Sequence, residues 1–565
     1  MRTRLALLSS LALPLVALAA VGAGSLGVGC TGDDAVTCGA NCAGPDAGGG
    51  GEGGGAGFEF QTGATITLVQ GSAVQIDILV TRSGFEGPIT ATASGLPEGV
   101  AAQPLVIPAG ATSAKLVLSA LPNAKQGTTP ITISMSDADG KVRRDQPATL
   151  LVRGAAGAFD TTFGVAGKVL ASVGATGIAV RGAVVQGDGR ILIAGRSDND
   201  FVATRLDRDG KLDTSYGGAG SVTADLRIDN MPSVDVAEGI ALAPTTGEAV
   251  LAGYRTNIES TYGIARITPA GKLDTTFDVD GYAAPAFPNP PGWLGDPQAL
   301  AVAVQADNKP VLVGTILESG GKNNAVVARF KTNGAPDDTF GNGQTGFFYA
   351  PVFRGATPAA TTSDRCEAVA VTTDGKVIAA GTTETEGPPI ATRMFALKLT
   401  AAGLPDTTFG VNGFSQIPFP ASTSAHSVHV LADGRVLLTG ESETKIVIAR
   451  LDAKGQLDTS FGGTGKVTLE VGANPISQPR SVLDASGRIV IAAGTGADND
   501  ILVARMTPDG TLDTSFTATG YLVAKVGAKS ATGNVRIALA PDGRIVVATN
   551  LDAAPNQLVV FRLWQ

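Results

Sequence analysis

The chain is short of the residues on which most enzyme chemistry depends. It has two histidines, four cysteines and two tryptophans in 565 residues, with aromatics at 5% and charged residues at 16%. Two histidines leave little room for imidazole catalysis or a His-rich metal centre. Four cysteines in a chain this long make no disulfide scaffold, and none of their spacings reads as a zinc site. There is no Gly-x-Ser-x-Gly elbow, no His-Glu-x-x-His and no P-loop. Lys and Arg form no cluster and the formal net charge is −9, which argues against nucleic acid or an anionic lipid surface as partner. The expectation is a protein without enzymatic activity, with no catalytic residue, no cofactor and no metal. An acidic pair working on envelope polysaccharide is the enzyme alternative, but nothing in the sequence selects two carboxylates.

Glycine is plentiful, at 75 residues, among β-branched runs and turn pairs. That composition predicts all-β structure. Its organisation is a repeat. The phrase Gly-x-x-Asp-(Thr/Asp)-(Thr/Ser)-(Phe/Tyr) occurs seven times, with aspartates at Asp160, Asp213, Asp274, Asp337, Asp406, Asp458 and Asp513, at intervals of 52 to 69 residues. Each unit carries four strand-like runs, in the first unit 168–172, 179–186, 190–194 and 201–206. A tight turn joins the second and third, as at Asp188-Gly189, where both positions favour positive φ. Ala and Gly at the end of the third run predict close approach of neighbouring sheets. Four strands per unit, seven units and no helical stretch predict a seven-bladed β-propeller over 157–565, a form that leaves no long exposed sheet edge.

The phrases Asp-Gly-Arg-Ile-Leu-Ile-Ala-Gly (188–195), Val-Ala-Thr-Arg-Leu (202–206) and Gly-Lys-Leu-Asp-Thr-Ser-Tyr-Gly (210–217) resemble the bacterial delta-60 repeat family. The resemblance recurs seven times over 157–565. It implies a β-propeller with no general enzymatic activity attached to the repeat.

Residues 58–153 hold no copy of the phrase. About seven strand-like runs (64–69, 73–81, 88–93, 101–107, 113–119, 130–136 and 147–153) alternate with turns, the pattern of an Ig-like β-sandwich. A stalk is the plain reading and an adhesive module the other. Upstream, Arg2 and Arg4 precede an apolar run from Leu5 to Ala20, which predicts a signal peptide over 1–29. Leu26-Gly27-Val28-Gly29-Cys30 resembles a bacterial lipobox, with the leucine four residues ahead of the cysteine rather than three. The resemblance implies lipidation at Cys30, and Thr31 after it implies an outer-membrane lipoprotein; plain secretion is the alternative. Residues 30–57 are a Gly-rich tether in which Cys38 and Cys42 are close enough to pair. Cys366 has no obvious partner.

The repeated residues read as scaffold. Phe163, Tyr216, Phe277, Phe340, Phe409, Phe461 and Phe516 are expected to wedge adjacent sheets. A basic residue in the fourth run (Arg205, Arg266, Arg329, Lys398, Arg450, Arg505, Arg562) is expected to meet the repeated aspartate, with Arg562 closing the ring on Asp160 and Arg153 a rival for that place. Asp207-Arg208-Asp209-Gly210-Lys211-Leu212-Asp213 has the look of a calcium loop, but other units lack the ligands, so a hairpin is expected. His426 and His429 are three apart in a strand and are not expected to form a metal pair.

Unit length points to a contact surface. From the repeated aromatic to the hairpin turn, units two, three and four advance 30, 30 and 34 positions against 24 to 26 elsewhere. The excess is expected on one face of the ring. Phe287, Trp293, Phe348, Tyr349, Phe353, Arg354 and Arg365 are the candidate binding residues there; drift in surface loops is the alternative. The expected partner is an envelope or extracellular glycan or protein, bound by a monomer whose membrane hold is the lipid anchor alone. A purely structural envelope component is the remaining alternative.

Overall fold

The computed structural model describes residues 56–565 other than 175, 227–232, 257–259, 286–292, 319–320, 350–362, 385–390, 472–474, 497–499, 527–533 and 552–555. Ala56–Gln565 forms one compact unit. The signal segment and Cys30, Cys38 and Cys42 lie outside the described residues. Among the described residues the fold is all-β and propeller-like, with one short 3-10 turn, Asn342–Gln344. No helix there is long and apolar enough to cross a membrane.

The first part is two sheets around one core. Gly57–Gln61, Ala73–Ser83, Ser113–Ala120 and Val100–Ala102 form one sheet; Thr65–Val69, Arg143–Arg153, Gly127–Asp137, Ile89–Ser94 and Leu105–Ile107 form the other. The alternating residues Ile76, Ile78 and Val80 of one meet Ile131, Ile133 and Met135 of the other in a single cluster. The strands number nine rather than seven. Gly57–Gln61 adjoins the glycine run, yet it pairs with Ala73–Ser83 and buries Phe58 and Phe60. The expected run 101–107 breaks at Pro104, which has no N–H for a ladder, and its halves join opposite sheets.

From residue 168 onward the described residues form seven four-stranded antiparallel sheets. Sheet 1 runs Ala179–Val185, Ile191–Ser197, Asp200–Leu206, Ser221–Ala224. Sheets 2 to 6 repeat it, with first strands Val234–Leu242, Trp293–Val304, Asp364–Val371, Ser424–Val430 and Ile476–Leu483. Sheet 7 contains Arg536–Leu539, Ile545–Leu551 and Gln557–Leu563, and its fourth strand is Lys168–Ser172. The sequence grouping is therefore offset by one strand. Each Gly-x-x-Asp phrase is a short connection, so the strand after it folds back on the strand before it. The longer link then passes to the next sheet.

Seven hydrophobic clusters lie between consecutive sheets, and one of them joins Val546 and Val560 of sheet 7 to Val180 and Ile193 of sheet 1. Each cluster holds one repeated aromatic, as the sequence predicts. Each ring contributes about 1.5–3 kcal/mol by burial. First strands touch first strands around the whole circuit, sheet 7 to sheet 1 included, so they are innermost.

The repeated cation and aspartate meet in every sheet. Nε–Oδ2 distances are 2.8 Å for Arg205–Asp213, 2.7 Å for Arg266–Asp274, 2.8 Å for Arg329–Asp337, 2.7 Å for Arg450–Asp458 and 2.8 Å for Arg505–Asp513. Lys398 stands 3.8 Å from Asp406. Arg562 meets Asp160 at 2.7 Å, whereas Arg153 reaches the Gln565 carbonyl instead. Each cation also lies over the aromatic of its own phrase, 4.4 Å from the ring centre for Arg205 on Tyr216 and 4.6 Å for Arg562 on Phe163. In five of the seven a further N–H crosses to the next unit, as from Arg266 to the Thr332 carbonyl and from Arg562 to that of Arg208, both at 2.5 Å. The second carboxylate oxygen of each aspartate accepts the hydroxyl and amide two residues on, as Asp337 does from Thr339 at 2.7 and 3.1 Å. A second cation after the hairpin turn also reaches six of the aspartates, for example Lys309 to Asp337 at 3.2 Å.

These contacts hold all seven aspartates below the ordinary carboxylate value. For Asp337 burial works upward, but the Thr339 hydroxyl and amide, Arg329 and Lys309 outweigh it and bring it from 3.8 to about 2. A depressed folded value means stability that is complete above the unfolded value and is lost as pH falls through the folded one. An acid titration followed by circular dichroism should show the fold intact at about pH 5 and failing between about pH 4 and pH 2. Asp337→Asn should flatten that slope by about 2 kcal/mol. In a double-mutant cycle, Arg562→Met and Asp160→Asn should each cost about 3–5 kcal/mol, as expected for half of a buried pair, with coupling above about 1 kcal/mol. Zero coupling would show that this pair does not join the ends.

Candidate functional site

The innermost strands are built to aim one side chain each. In sheets 1 to 5 the first strand carries a bulge, at Arg181, Glu238, Leu300, Glu367 and His426. A bulge leaves one residue unpaired and redirects it. The glycine of the second strand is what permits it. A Cβ at Gly253, Gly314 or Gly381 would lie 1.8 Å from a carbonyl oxygen of the first strand of the same sheet. The expectation that Ala and Gly there serve close approach between sheets is thus corrected for the glycines: the close approach is within the sheet. Sheet 6 is irregular between Ser477 and Arg480, and sheet 7 begins at Arg536.

The aimed side chains converge on the middle of the ring. Arg181 donates to Asn534 at 2.8 Å and stands 3.8 Å from Glu238. The Glu367 carboxylate takes His426 Nδ1 at 2.8 Å and Arg365 Nε at 3.2 Å. Arg480 donates to the His426 carbonyl at 2.6 Å, and Arg536 to the Arg181 carbonyl. Some influences run between sheets that do not touch. Arg480 of sheet 6 is acted on by Glu238 of sheet 2, and Arg536 of sheet 7 by Glu238 and by Glu367 of sheet 4. Such pairs lie on different sides of the axis that the seven first strands surround.

Burial, then Arg480 and Arg181, pull the Arg536 guanidinium well below its ordinary value. Burial opposes charge on His426, but hydrogen bonds to Glu367 and Glu441 raise it. His426 Nε2 lies 3.5 Å from Glu441, which also accepts the Gln478 amide at 2.6 Å. His429 turns elsewhere, to the Ser481 carbonyl at 3.0 Å, and burial lowers it to about 4. The two histidines have separate partners.

Strand register places this cluster near one rim. In sheet 1 Ala179, Arg196, Phe201 and Ala224 lie level. The first strand therefore begins where the second–third hairpin and the link to the next sheet emerge, and Arg181 is two residues in. The described strands on either side of the lengthened segments of units two to four, such as Ser221–Ala224 and Val234–Leu242, end and begin at that rim. Of the sequence candidates, Phe287, Phe353 and Arg354 lie outside the described residues, and only the backbone of Trp293 is described. Phe348 is buried in the cluster between sheets 3 and 4, so its ring is packing rather than contact surface. Tyr349 is half-buried beside it. Arg365 is exposed and belongs to the central group. Arg181, Glu238, Glu367, Arg480 and Arg536 were not singled out from sequence, and His426 was weighed there only as half of a metal pair. For Arg181, Glu238, Glu367 and His426 the signal was a polar residue interrupting a first strand beside a glycine of the second; Arg480 and Arg536 face Ala492 and Ala548 and carried no such signal.

Two other places bear on chemistry. Asp200, Asp225 and Asp235 bring carboxylate oxygens within 4.8 Å of one another near the same rim, the residues best spaced to hold a cation. Burial raises Asp235, which accepts the Leu226 amide at 2.7 Å. The Asp207 loop is a closed turn, its carboxylate accepting the amides of Asp209 and Lys211. Between the sandwich and the opposite rim lies a cleft of about 730 Å³ lined by Arg153, Arg208, Arg488, Arg544, Arg562 and Trp564. Three of its arginines are already matched: Arg488 by Asp484 at 2.6 Å, and Arg544 and Arg562 by Asp160 at 2.5 and 2.7 Å. Buried Gln126 anchors the sandwich there, accepting from Thr161 and Trp564 at 2.9 Å each. That cleft lies at the joint between the sandwich and the ring.

No curated protein matches the sequence. Among solved structures, similarity is found to an endo-arabinase from Bacteroides thetaiotaomicron (11% identity, 48% of this chain and 94% of that one, TM-score 0.27). A Hadza microbial sialidase (10%, 85% and 90%, 0.34) and a protein from Lactobacillus plantarum (11%, 78% and 95%, 0.35) are also similar. Likeness this distant carries no argument about activity. The family described as "Domain of unknown function (DUF5122) beta-propeller" matches residues 186–216, 247–277, 305–340, 431–461 and 485–516. Each match runs from the hairpin turn to the repeated aromatic, and together they support a β-propeller repeat family.

Proposed function

We propose that this is a non-enzymatic binding or display protein of the bacterial cell surface. In this reading a lipid anchor at Cys30 and an Ig-like sandwich carry a closed seven-bladed propeller of the delta-60 kind. The pairing of Lys168–Ser172 with Gln557–Leu563 supports closure, and the leader and lipobox-like Cys30 support export. The convergence of polar and charged side chains on the opening of one rim, in a ring otherwise filled by hydrocarbon, carries the binding assignment. The carboxylates at that opening favour binding over hydrolysis. A glycosidase acid needs a raised carboxyl, whereas Glu367 and Glu441 are lowered by His426 against the pull of burial. Asp235, which is raised, is fully buried.

Screened against envelope glycans and envelope proteins, the full chain should capture at least one class. Replacing 350–362 by a short Gly-Ser link should weaken that capture at least about tenfold, about 1.4 kcal/mol. A shortened chain that keeps every interaction would show the enlarged links to be drift. Fractionated cells should hold the chain in the membrane and release Cys30→Ser; equal partition of the two would remove the anchor.

A further inference from the structure

The charges at the central opening are not closed on themselves. Arg480 gives one N–H to the His426 carbonyl, and its Nε has no partner among the described residues; the Nε of Arg181 is also left over. A guanidinium N–H without an acceptor is costly where water is scarce. The chain's own carboxylates do not take these donors. Glu367 is held by His426 and Arg365, Glu441 by the Gln478 amide, and Glu238 stands 3.8 Å from Arg181, beyond hydrogen-bond reach. Arg181 and Arg480 thus bring surplus donors into the group that Arg536 joins through the Arg181 carbonyl, in a chain whose net charge is −9. With Arg365 there are four guanidinium groups in it against the carboxylates of Glu238, Glu367 and Glu441, and that local reversal of sign marks a place made for an anion.

We propose that the opening binds a small hydroxylated carboxylate, an acidic sugar in chemical class. Arg480, Arg181 and Arg536 receive the carboxylate, and Glu238 and Glu367 accept its hydroxyl hydrogens. The assignment rests on the binding reading above. Two features select this chemistry. A guanidinium presents paired, coplanar donors that match the two oxygens of a carboxylate. The glutamates in the same space repel a second negative charge, so a monoanion with hydroxyls fits and a phosphate dianion does not.

The test uses the full chain at about pH 8.5, where inorganic phosphate is chiefly the dianion and glucuronate a monoanion, titrated calorimetrically with D-glucuronate, D-glucose and inorganic phosphate. Glucuronate should bind, with glucose and phosphate each at least about tenfold weaker. Arg480→Gln, whose melting temperature reports its fold, should weaken glucuronate by about 10- to 100-fold, the worth of charged hydrogen bonds. Glu238→Gln should narrow the gap between phosphate and glucuronate. The proposal is overturned by a wild-type chain that ignores glucuronate, or that binds glucose equally well. It is also overturned by a folded Arg480→Gln chain with unchanged affinity. If Arg480→Gln does not fold, the Glu238→Gln ratio decides, and an unmoved gap overturns it. A surface ligand from the screen that Arg480→Gln still captures would leave the binding reading intact and remove the carboxylate site alone.

Discussion

The structure depends on one contact made seven times, a cation between a carboxylate and an aromatic ring, and in five of the seven a spare N–H reaches the neighbouring unit. Each arm answers a different requirement. The ring fills the wedge between sheets, the carboxylate neutralises the charge that burial would otherwise penalise, and the crossing N–H fixes one unit against the next. The glycine that opens each phrase completes the arrangement. Gly271 has φ near +79°, and a Cβ there would stand 2.7 Å from the Tyr216 ring. The phrase is conspicuous in the sequence because every one of its positions is occupied in this joint.

That explains what was legible. Asp160, Phe163 and Arg562 have counterparts at fixed spacing in every unit, so their meeting follows from the repeat alone. The strand grouping did not follow, because four runs per unit are equally compatible with either frame. Only the choice of which link is short decides it. In the sandwich, Gly57–Gln61 was hidden by its neighbouring glycines, and Pro104 divides a run that periodicity treats as continuous.

The central group was illegible for a different reason. Arg181, Glu238, Glu367 and His426 share a structural position but not a residue type, so no motif connects them. What recurs is the glycine opposite, whose purpose is visible only when the first-strand carbonyl is seen lying against it. The scaffold repeats its devices and varies what those devices display. Phe348 shows the converse error: an aromatic in a lengthened unit reads as contact surface, yet strand pairing with Val327 turns it into the core.

The borrowed strand of sheet 7 bears on how the molecule comes into being. Lys168–Ser172 waits for Gln557–Leu563, so six sheets can form behind the ribosome while the outer strand of the seventh stays unpaired. Bringing those ends together adds only slowly growing chain entropy, about (3/2)RT ln n for n intervening residues. What sets the pace is that nothing earlier in synthesis can substitute for the final strand. Until it emerges, the nascent chain carries two unsealed flanks, each a template for the wrong neighbour. A chain of this design is most vulnerable in the moment before the strand that completes sheet 7 arrives.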